Sequence, residues 1–513
     1  MVANRVLITT SGMGSRLGNL TNGTNKCLVR VADKPSISHI IESYSADTEF
    51  VISLGHHGDY VKQYLNLAYP DHTLIYVYVD NYDGPGSSLA YSIFQCKNEL
   101  QCPFIFHASD TIVTTRIPDL ENNWMASSYR VDASHYRTLL VDNQKIKKVN
   151  KRHEINYDTV YVGLCGIKDY ELFFDYLEEI LKTKKGDLSD AHVIDRMLED
   201  VDFDQIEIPS ENWFDVGNVD ELNRTRKFFA NQIEVLDKEY ESIYFFDEFI
   251  IKFFADPTTN KNRVARGHLL GKVTPPILDY SNNFFKYKKV DGEVFSKSVT
   301  GPKFLCLLDW AISNLWISKE DLSIRERCYD FYINKTKSRV DQYLKNGKDQ
   351  AEYINGTKIP TVDELLGKID IDWLCDGIPS VFHGDFILDN IIETSDGFSL
   401  IDWRQDFGGD LETGDLYYDL AKLNHNLTVN HNIVKRELYG HKSDGCFILT
   451  SSILNECKEL LHKFVIDNGY DLRKVELLTA IIWINMAPLH AYPFGTFLYT
   501  FGKYNLYQAL ERL

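Results

Sequence analysis

From residue 5 to about residue 225 short apolar strands alternate with helical stretches, and then the alternation stops. Strands are expected at 5–9, 49–54, 74–79, 103–107 and 159–167, with helices at 37–44 and 60–67. That rhythm predicts an α/β fold built on a βαβ-type, mostly parallel sheet. After a polar, helical stretch at 223–238 the pattern changes. Paired strands at 242–246 and 249–254 and a third at 284–290 precede helices at 304–316, 325–343, 453–467 and 475–486. A chain of 513 residues exceeds one ordinary core, so two domains are expected, 1–230 and 231–513. The second divides into a small β-rich lobe at about 235–300 and a helical lobe at about 301–513. No internal repeat relates the halves.

The formal net charge of −19 argues against nucleic acid or an anionic membrane as partner, because both need positive surface. Phosphate ligands are not excluded, since a pocket needs only a few local cations. The opening apolar stretch is a few residues long and reads as a buried strand, not a leader. The apolar stretch at 480–489 is interrupted by Asn485 and Pro488 and is too short to span a bilayer. The nine cysteines form no Cys-x-x-Cys pair, so no structural zinc is expected and reduced thiols in the cytoplasm are the default.

The first predicted strand runs into Gly12-Met13-Gly14-Ser15-Arg16-Leu17. A dinucleotide fingerprint would need glycine at position 17, and a phosphate-binding Walker loop would end in Gly-Lys-Ser/Thr; neither is present. Leu20-Thr21, Asn25-Lys26-Cys27-Leu28-Val29 and Lys34-Pro35-Ser36-Ile37 follow. This order resembles the sugar-phosphate and choline-phosphate nucleotidyltransferase family. The resemblance implies a Rossmann-like domain that joins an NTP to a phosphorylated small molecule and releases pyrophosphate. Gly84-Pro85-Gly86-Ser87-Ser88-Leu89 resembles the family's base-reading loop. Asp110, at the end of Phe104–Asp110, and Asp215, in Trp213-Phe214-Asp215-Val216-Gly217, resemble its two metal-binding aspartates.

That reaction brings two anions together, so a site for it must neutralise charge and hold geometry. By resemblance, Asp110 and Asp215 hold Mg²⁺, and Gly12, Gly14, Ser15, Gly86, Ser87 and Ser88 bind the nucleotide. Arg16 holds the departing phosphates and Lys26 meets charge near the α-phosphate. Lys151 is the expected contact for the acceptor phosphate. Two departures stand out: Asn25 occupies the usual place of a proline, and Asn150-Lys151-Arg152 replaces Glu-Lys-Pro. Taken singly, a glycine turn is usually only a turn and an aspartate after a strand only a cap; the ordered set carries the reading.

Far downstream stands His383-Gly384-Asp385-Phe386-Ile387-Leu388-Asp389-Asn390, followed by Ile401-Asp402-Trp403. Phosphoryl transfer needs a carboxylate to orient the attacking hydroxyl and ligands for Mg²⁺. Asp385 is spaced to be the first, with Asn390 and Asp402 as the ligands. The set resembles the aminoglycoside phosphotransferase and choline kinase family, which implies a bilobal, protein-kinase-like (α+β) fold acting on small alcohols with ATP. Lys252 then falls at the ATP-phosphate lysine, residues 287–293 at the adenine hinge, and Asp419 at a support for the catalytic loop. No glutamate that could pair with Lys252 follows; residues 262–270 offer Arg263, Arg266 and His268 instead. The aromatic tail with Trp483, Phe497, Tyr499 and Phe501 could cage a quaternary ammonium, although such a stripe is more often core.

Together these readings predict a bifunctional enzyme. One half phosphorylates an alcohol with ATP, and the other couples the product to an NTP. CTP is favoured, giving a CDP-choline-like precursor for surface glycan or lipid. A sugar converted to an NDP-sugar is the near alternative, and a chain with one dead half acting as sensor or scaffold is the rival. The partners expected are Mg²⁺, nucleotides, the alcohol or sugar, and a second copy of the chain.

Overall fold

In the computed structural model, which describes residues 5–130, 132–184, 186–229, 238–345, 352–442 and 445–512, the chain packs as two compact units. One comprises residues up to 257 together with 278–287, the other 258–277 together with 288 onward. The domain boundary expected at 230/231 falls outside the described residues.

The first unit is built on a nine-stranded sheet. Its strands are β1 (Arg5–Thr9), β2 (Glu49–Leu54), β3 (Thr73–Tyr78), β4 (Phe104–Ala108), β6 (Trp124–Ser128), β7 (Thr138–Asp142), β8 (Lys145–Val149), β9 (Thr159–Ile167) and β10 (Asp204–Glu207), in the order 3-2-1-4-9-6-10-8-7. A short pair, β5 (Thr111–Val113) and β11 (Trp213–Asp215), stands apart from it. β1 pairs in parallel with β2 and β4. Val6, Leu7 and Ile8 have no exposure at all, as expected of a parallel strand covered on both faces. The helices α1 (Ser36–Ile41), α2 (Gly58–Ala68) and α3 (Leu89–Gln95) connect this half, and α4 (Tyr170–Thr183), α5 (Asp190–Met197) and α6 (Val219–Phe228) the rest.

The other half of the sheet corrects the mostly parallel expectation. β9 runs antiparallel to β4 and β6, and β7 pairs antiparallel with β8. The reason is local: Asn143 and Gln144, both at positive φ, close β7 onto β8 in a two-residue hairpin, which admits no parallel pairing.

A four-stranded sheet follows, with β12 (Glu241–Phe245), β13 (Phe249–Phe254), β14 (Ile277–Tyr280) and β15 (Phe284–Lys288) in the order 12-13-15-14. Its aromatic face packs into the first unit's core. Tyr244 lies edge-on to Tyr64 of α2 at 4.9 Å, and Phe253 meets Tyr60 at 5.0 Å. The Tyr244 hydroxyl donates to Leu28 O at 2.8 Å.

The second unit is mainly helical. Leu472–Met486 packs against Leu416–Asn426 and Phe494–Leu510. Helix Ile324–Tyr329 continues through a π-helical turn, Asp330–Asn334, into Lys335–Leu344. A small antiparallel sheet of Glu293–Val294, Ile391–Thr394 and Gly397–Leu400 stands beside the catalytic-type loop. The aromatic stripe is core: Trp483 packs on Phe501 at 4.6 Å, and Tyr499 stacks on Tyr343 at 4.3 Å. Among the described residues no helix is long and apolar enough to cross a membrane.

Two candidate active sites

In the first unit, β1 feeds a loop in which Gly14 has φ +67°. A Cβ there would also stand 2.8 Å from the Lys26 Cβ, so both conformation and close approach demand glycine. A Cβ on Gly12 would meet nothing within 4 Å, so packing sets no such demand there. The 3-10 turn Ser15–Thr21 then presents Ser15 and Arg16.

Lys26 is fixed from behind by its neighbour. The wholly buried Asn25 donates its amide to the carbonyls of Thr10 (2.8 Å) and His56 (2.5 Å), and its oxygen accepts from Cys27 N at 3.0 Å. A proline could make none of these bonds. The departure at position 25 is therefore a side-chain clamp on the lysine loop, and sequence reasoning missed it.

Asp110 follows β4, and Asp215 ends β11, which pairs with β5 so that Asp215 stands opposite Thr111. The strand pairing thus closes a long sequence gap. Lys26 Nζ lies 3.2 Å and Arg16 Nη2 4.0 Å from Asp110 Oδ2. A Cβ on Gly217 would lie 3.1 Å from Asp110 Oδ2 and 3.0 Å from Asp215 Oδ1, so both carboxylates border one small gap. Tyr136 OH and Gly217 N donate to Asp215 at 2.7 and 2.6 Å.

The two carboxyls titrate apart. Burial works against ionisation of Asp110, but Lys26 and then Arg16 outweigh it and hold the group below its ordinary value. Burial and then the charge of Asp110 push Asp215 up. A divalent cation fits here: two carboxylates face one gap, and the second carries a repulsion that a cation would relieve. Among the described residues no cluster of three or more His, Cys, Asp or Glu could hold a metal, so substrate oxygens and water would complete the shell.

A cavity of about 200 Å³ opens from this pair. Arg16, Asp110 and Asp215 line it together with Arg137, Arg152 and Asp190. Lys151 is exposed and does not line it; its neighbour Arg152 does. Arg137 Nη2 reaches His192 Nε2 at 3.0 Å, and buried Asp190 accepts from Tyr161 OH at 2.7 Å. Sequence reasoning missed Arg137 and Asp190, which look like ordinary charges next to β7 and at the start of α5.

In the loop before α3, Gly84 and Gly86 have positive φ, and the Ser87 hydroxyl donates to Gly84 O at 2.7 Å. The Ser88 side chain caps α3 by accepting from Tyr91 N at 3.1 Å. Both hydroxyls are thus engaged in shaping the loop.

In the second unit, Gly384 has φ +83°, and a Cβ there would collide with the Arg404 Cβ at 2.6 Å. Asp419, fully buried, accepts from His383 N and Gly384 N at 2.7 Å each and from Trp316 Nε1 at 3.2 Å, which locks the loop. His383 donates from Nε2 to Ile401 O at 3.0 Å when its Nδ1 accepts from Asp385 N at 3.2 Å. Burial lowers that imidazole to about 4, so it is neutral, as these bonds require.

Asp385 Oδ1 lies 2.6 Å from Lys422 Nζ. Burial opposes ionisation of Asp385, but Lys422 more than offsets it and the carboxyl stays below its usual range. Asn390 donates its amide to Asp385 O at 3.0 Å and Oδ2 at 3.1 Å, leaving its own oxygen for another ligand. Ile401 N donates to Asn390 O at 2.9 Å, which ties Asn390 to the strand end before Asp402. Asp402 has φ +59°, a costly conformation for a non-glycine residue and one met at functional sites. Arg263 holds its Oδ1 at 2.8 Å. The Asn390 and Asp402 oxygens are the hard donors that Mg²⁺ takes. Lys252 is buried in β13, which belongs to the first unit and not to the unit that holds Asp385. Where a glutamate was sought, Arg263 instead pairs with Asp402, and buried Arg266 stacks on Phe382 at 3.8 Å.

No family model matches the chain. The N-terminal 44% of the chain matches nucleotidyltransferases. It is 22% identical over 235 residues to the bifunctional protein GlmU of Methanococcus maripaludis strain S2, covering 44% of this chain and 54% of that protein. It is likewise 22% identical over 236 residues to the GlmU of Methanococcus vannielii, covering 44% and 55%. The chain thus spans about half the length of the curated relatives it matches. Among solved structures, the CTP:phosphocholine cytidylyltransferase LicC of Streptococcus pneumoniae is 19% identical, with 44% of this chain and all of that one covered, at a TM-score of 0.39. The inositol-1-phosphate CTP transferase of T. maritima is 16% identical, with 46% and 99% covered, at a TM-score of 0.38.

Proposed function

We propose that this chain is a bifunctional enzyme: the second site phosphorylates a small alcohol with ATP, and the first joins the phosphorylated product to an NTP with release of pyrophosphate. The observation that carries the reading is the pairing in each site of a carboxylate with its own cations, Asp110 with Lys26 and Arg16, and Asp385 with Lys422.

In the second site Asp385 accepts the acceptor hydroxyl's hydrogen bond and aims its oxygen at the γ-phosphorus. A carboxyl held low by Lys422 is a weak base. Its work is orientation, which suits a loose phosphoryl-transfer transition state. Lys422 is freed to meet the transferring phosphoryl when the hydroxyl arrives. Mg²⁺ at Asn390 and Asp402 would supply charge neutralisation.

In the first site Lys26 and Arg16 receive the triphosphate, with Lys26 nearest the α-phosphate and Arg16 toward the leaving pyrophosphate. Arg152 or Arg137 receives the acceptor phosphate, whose oxygen attacks in line. Mg²⁺ between Asp110 and Asp215 would neutralise both reactants. Ser87 keeps its acceptor lone pairs and Ser88 its hydroxyl proton for a base, and CTP stays the favoured nucleotide. The nucleotide is a question for the product.

Mass spectrometry of products from the full chain, Mg²⁺, ATP, each other NTP and pools of alcohols and sugars tests the reading. A nucleotide conjugate that disappears without ATP is expected. A conjugate formed only from ready-made phosphorylated acceptors, with no ADP released under any condition, would leave the transferase and remove the kinase.

A further inference from the structure

Beside Asp385 the second unit gathers cations without matching anions. A single lysine at the catalytic carboxylate, Lys422, is enough to meet a transferring phosphoryl. Three more basic side chains stand close. Arg404 lies against the catalytic loop, its N donating to His383 O at 3.0 Å and its Cβ against Gly384. The Arg404 guanidinium is 4.7 Å from the Phe331 ring, and Lys335 Nζ is 3.9 Å from that same ring. Phe331 lies in the π-helical turn that ends at Lys335, a device met often at functional sites. Arg339 follows one helical turn on. Phe331 packs on Tyr418 at 4.9 Å, and Tyr418 is one turn before Lys422 on its helix.

Counter-charges are few. Asp385 is taken by Lys422, and Asp406 is the other carboxylate facing Lys335, its main-chain oxygen accepting from Arg404 Nε at 3.1 Å and its Oδ1 from Gly409 N at 3.1 Å. Among the described residues Lys335 and Arg339 make no ion pair; Arg339 donates to the neutral Gln342 at 3.0 Å. Burial, then Arg404, Arg339 and Lys422, push Lys335 down to about 6, so without an anion beside it the amine is largely neutral at pH 7. An anion joining the group would hold Lys335 protonated and offset the mutual repulsion of these basic side chains. The arrangement also speaks against an ammonium acceptor. Phe331 already lies against two basic side chains, and Trp483, Phe497 and Tyr499 are buried in the core.

The first unit makes a matching demand, since the product of one site is the substrate of the other. Its cavity holds Arg137 and Arg152 besides Arg16, facing Asp110, Asp190 and Asp215, and Arg152 also lies 3.6 Å from Asp187; two guanidiniums are thus at hand for a product with two anionic groups.

We propose, resting on the two-step reading above, that the acceptor alcohol itself bears an anionic group, carboxylate or phosphate, received by Lys335, Arg339 and Arg404. The acceptor hydroxyl oxygen bonds to the γ-phosphorus of ATP, the bond from γ-phosphorus to the β,γ-bridging oxygen breaks, ADP leaves, and the hydroxyl proton passes to Asp385 and on to solvent. The product carries its new phosphate together with the original anionic group.

ADP release by the full chain is measured with glycerate, gluconate and other hydroxy acids, with glycerol 3-phosphate and sugar phosphates, with glycerol and free sugars, and with choline and ethanolamine. At least one anionic acceptor is expected to exceed its neutral or cationic counterpart about 100-fold in kcat/KM, and the first two groups separate carboxylate from phosphate. Lys335→Met should raise KM for that acceptor about tenfold and leave KM for ATP unchanged. Preference for choline, ethanolamine or a neutral polyol overturns the proposal, as does an unchanged acceptor KM in the variant. A binding readout stands apart from turnover: sodium sulfate, against chloride at equal ionic strength, should raise the Tm of the wild type more than that of Lys335→Met/Arg339→Met. Equal gains overturn the anion site. Sulfate discrimination without turnover of any acceptor keeps the anion site and rejects the kinase reading.

Discussion

Asp110 and Asp215 stand 105 residues apart in sequence and are brought together by the pairing of β5 with β11. Asp385, Asn390 and Asp402 lie on one loop and the hairpin that follows it, tied by the bond from Ile401 N to Asn390 O. The difference extends to charge. In the first site one carboxyl is held low by Lys26 and Arg16 while its neighbour is pushed up by burial and by the first. In the second, Lys422 already satisfies Asp385 and surplus cations remain. The gap between Asp110 and Asp215 is therefore short of positive charge, and the surroundings of Lys335 are short of negative charge. Each deficit states what kind of ligand completes it: a divalent cation in one, an anionic acceptor in the other.

The harshest way to break this comparison is to neutralise one carboxylate in each unit. Asp110→Asn should lower pyrophosphate release by about 10³-fold while leaving ATP-dependent phosphorylation intact. Asp385→Asn should do the reverse. Parallel assays of pyrophosphate and ADP release check both. Loss of both activities from either change, in a protein of unaltered circular dichroism, would make the two sites one.

A milder change probes how each site is held. Asn25 clamps the Lys26 loop and Asp419 clamps the His383 loop, each through three hydrogen bonds from a buried side chain. Asn25→Ala leaves the Thr10 and His56 carbonyls without this donor, at about 1–3 kcal/mol for each group orphaned. The resulting shift of Lys26 should slow nucleotidyl transfer by about 10- to 100-fold. Phosphorylation should not change. A variant as fast as wild type in single-turnover pyrophosphate release would show that Lys26 does not depend on its clamp.

The same contrast explains what could be read from residues alone. A strand covered on both faces is a solid apolar run, so Val6–Ile8 was plain, and a motif contained in eight residues, His383 to Asn390, announces itself. The strands at 241–254 were also plain, but alternation says only that a segment is a strand. It does not say that Tyr244 and Phe253 will pack on Tyr64 and Tyr60. Arg137 and Asp190 were invisible as cavity residues because tertiary folding alone brings them beside Asp110. Lys422 and Lys335 were passed over because a charge on a helix is usually solvated, and only the fold turns them toward Asp385 and Phe331.

The smallest expected effect is one of stability, and it has an unusual sign. Burial and the charge of Asp110 raise Asp215, so the ionised carboxyl costs the fold at neutral pH. That cost is absent below the ordinary carboxylate range, at about pH 4, and grows as pH rises through the raised value. Asp215→Asn removes the charge while keeping its bonds: the amide oxygen accepts from Gly217 N, and the amide N–H can donate to the Tyr136 oxygen, a hydroxyl able to reverse its role. The variant should therefore be catalytically crippled yet more stable at pH 7 by on the order of 1 kcal/mol, or roughly 2–4 °C in Tm. The advantage should shrink toward zero as the pH is lowered to about 4. Mg²⁺ should close the gap from the other side, raising the Tm of the wild type more than that of the variant, because the cation relieves the repulsion that the substitution has already removed. Scanning calorimetry at pH 7 and pH 4, with and without Mg²⁺, reads all of this. A variant less stable than wild type at pH 7 would mean that Asp215 is already neutralised by the protein, and the first site would then have no charge deficit for a metal to fill.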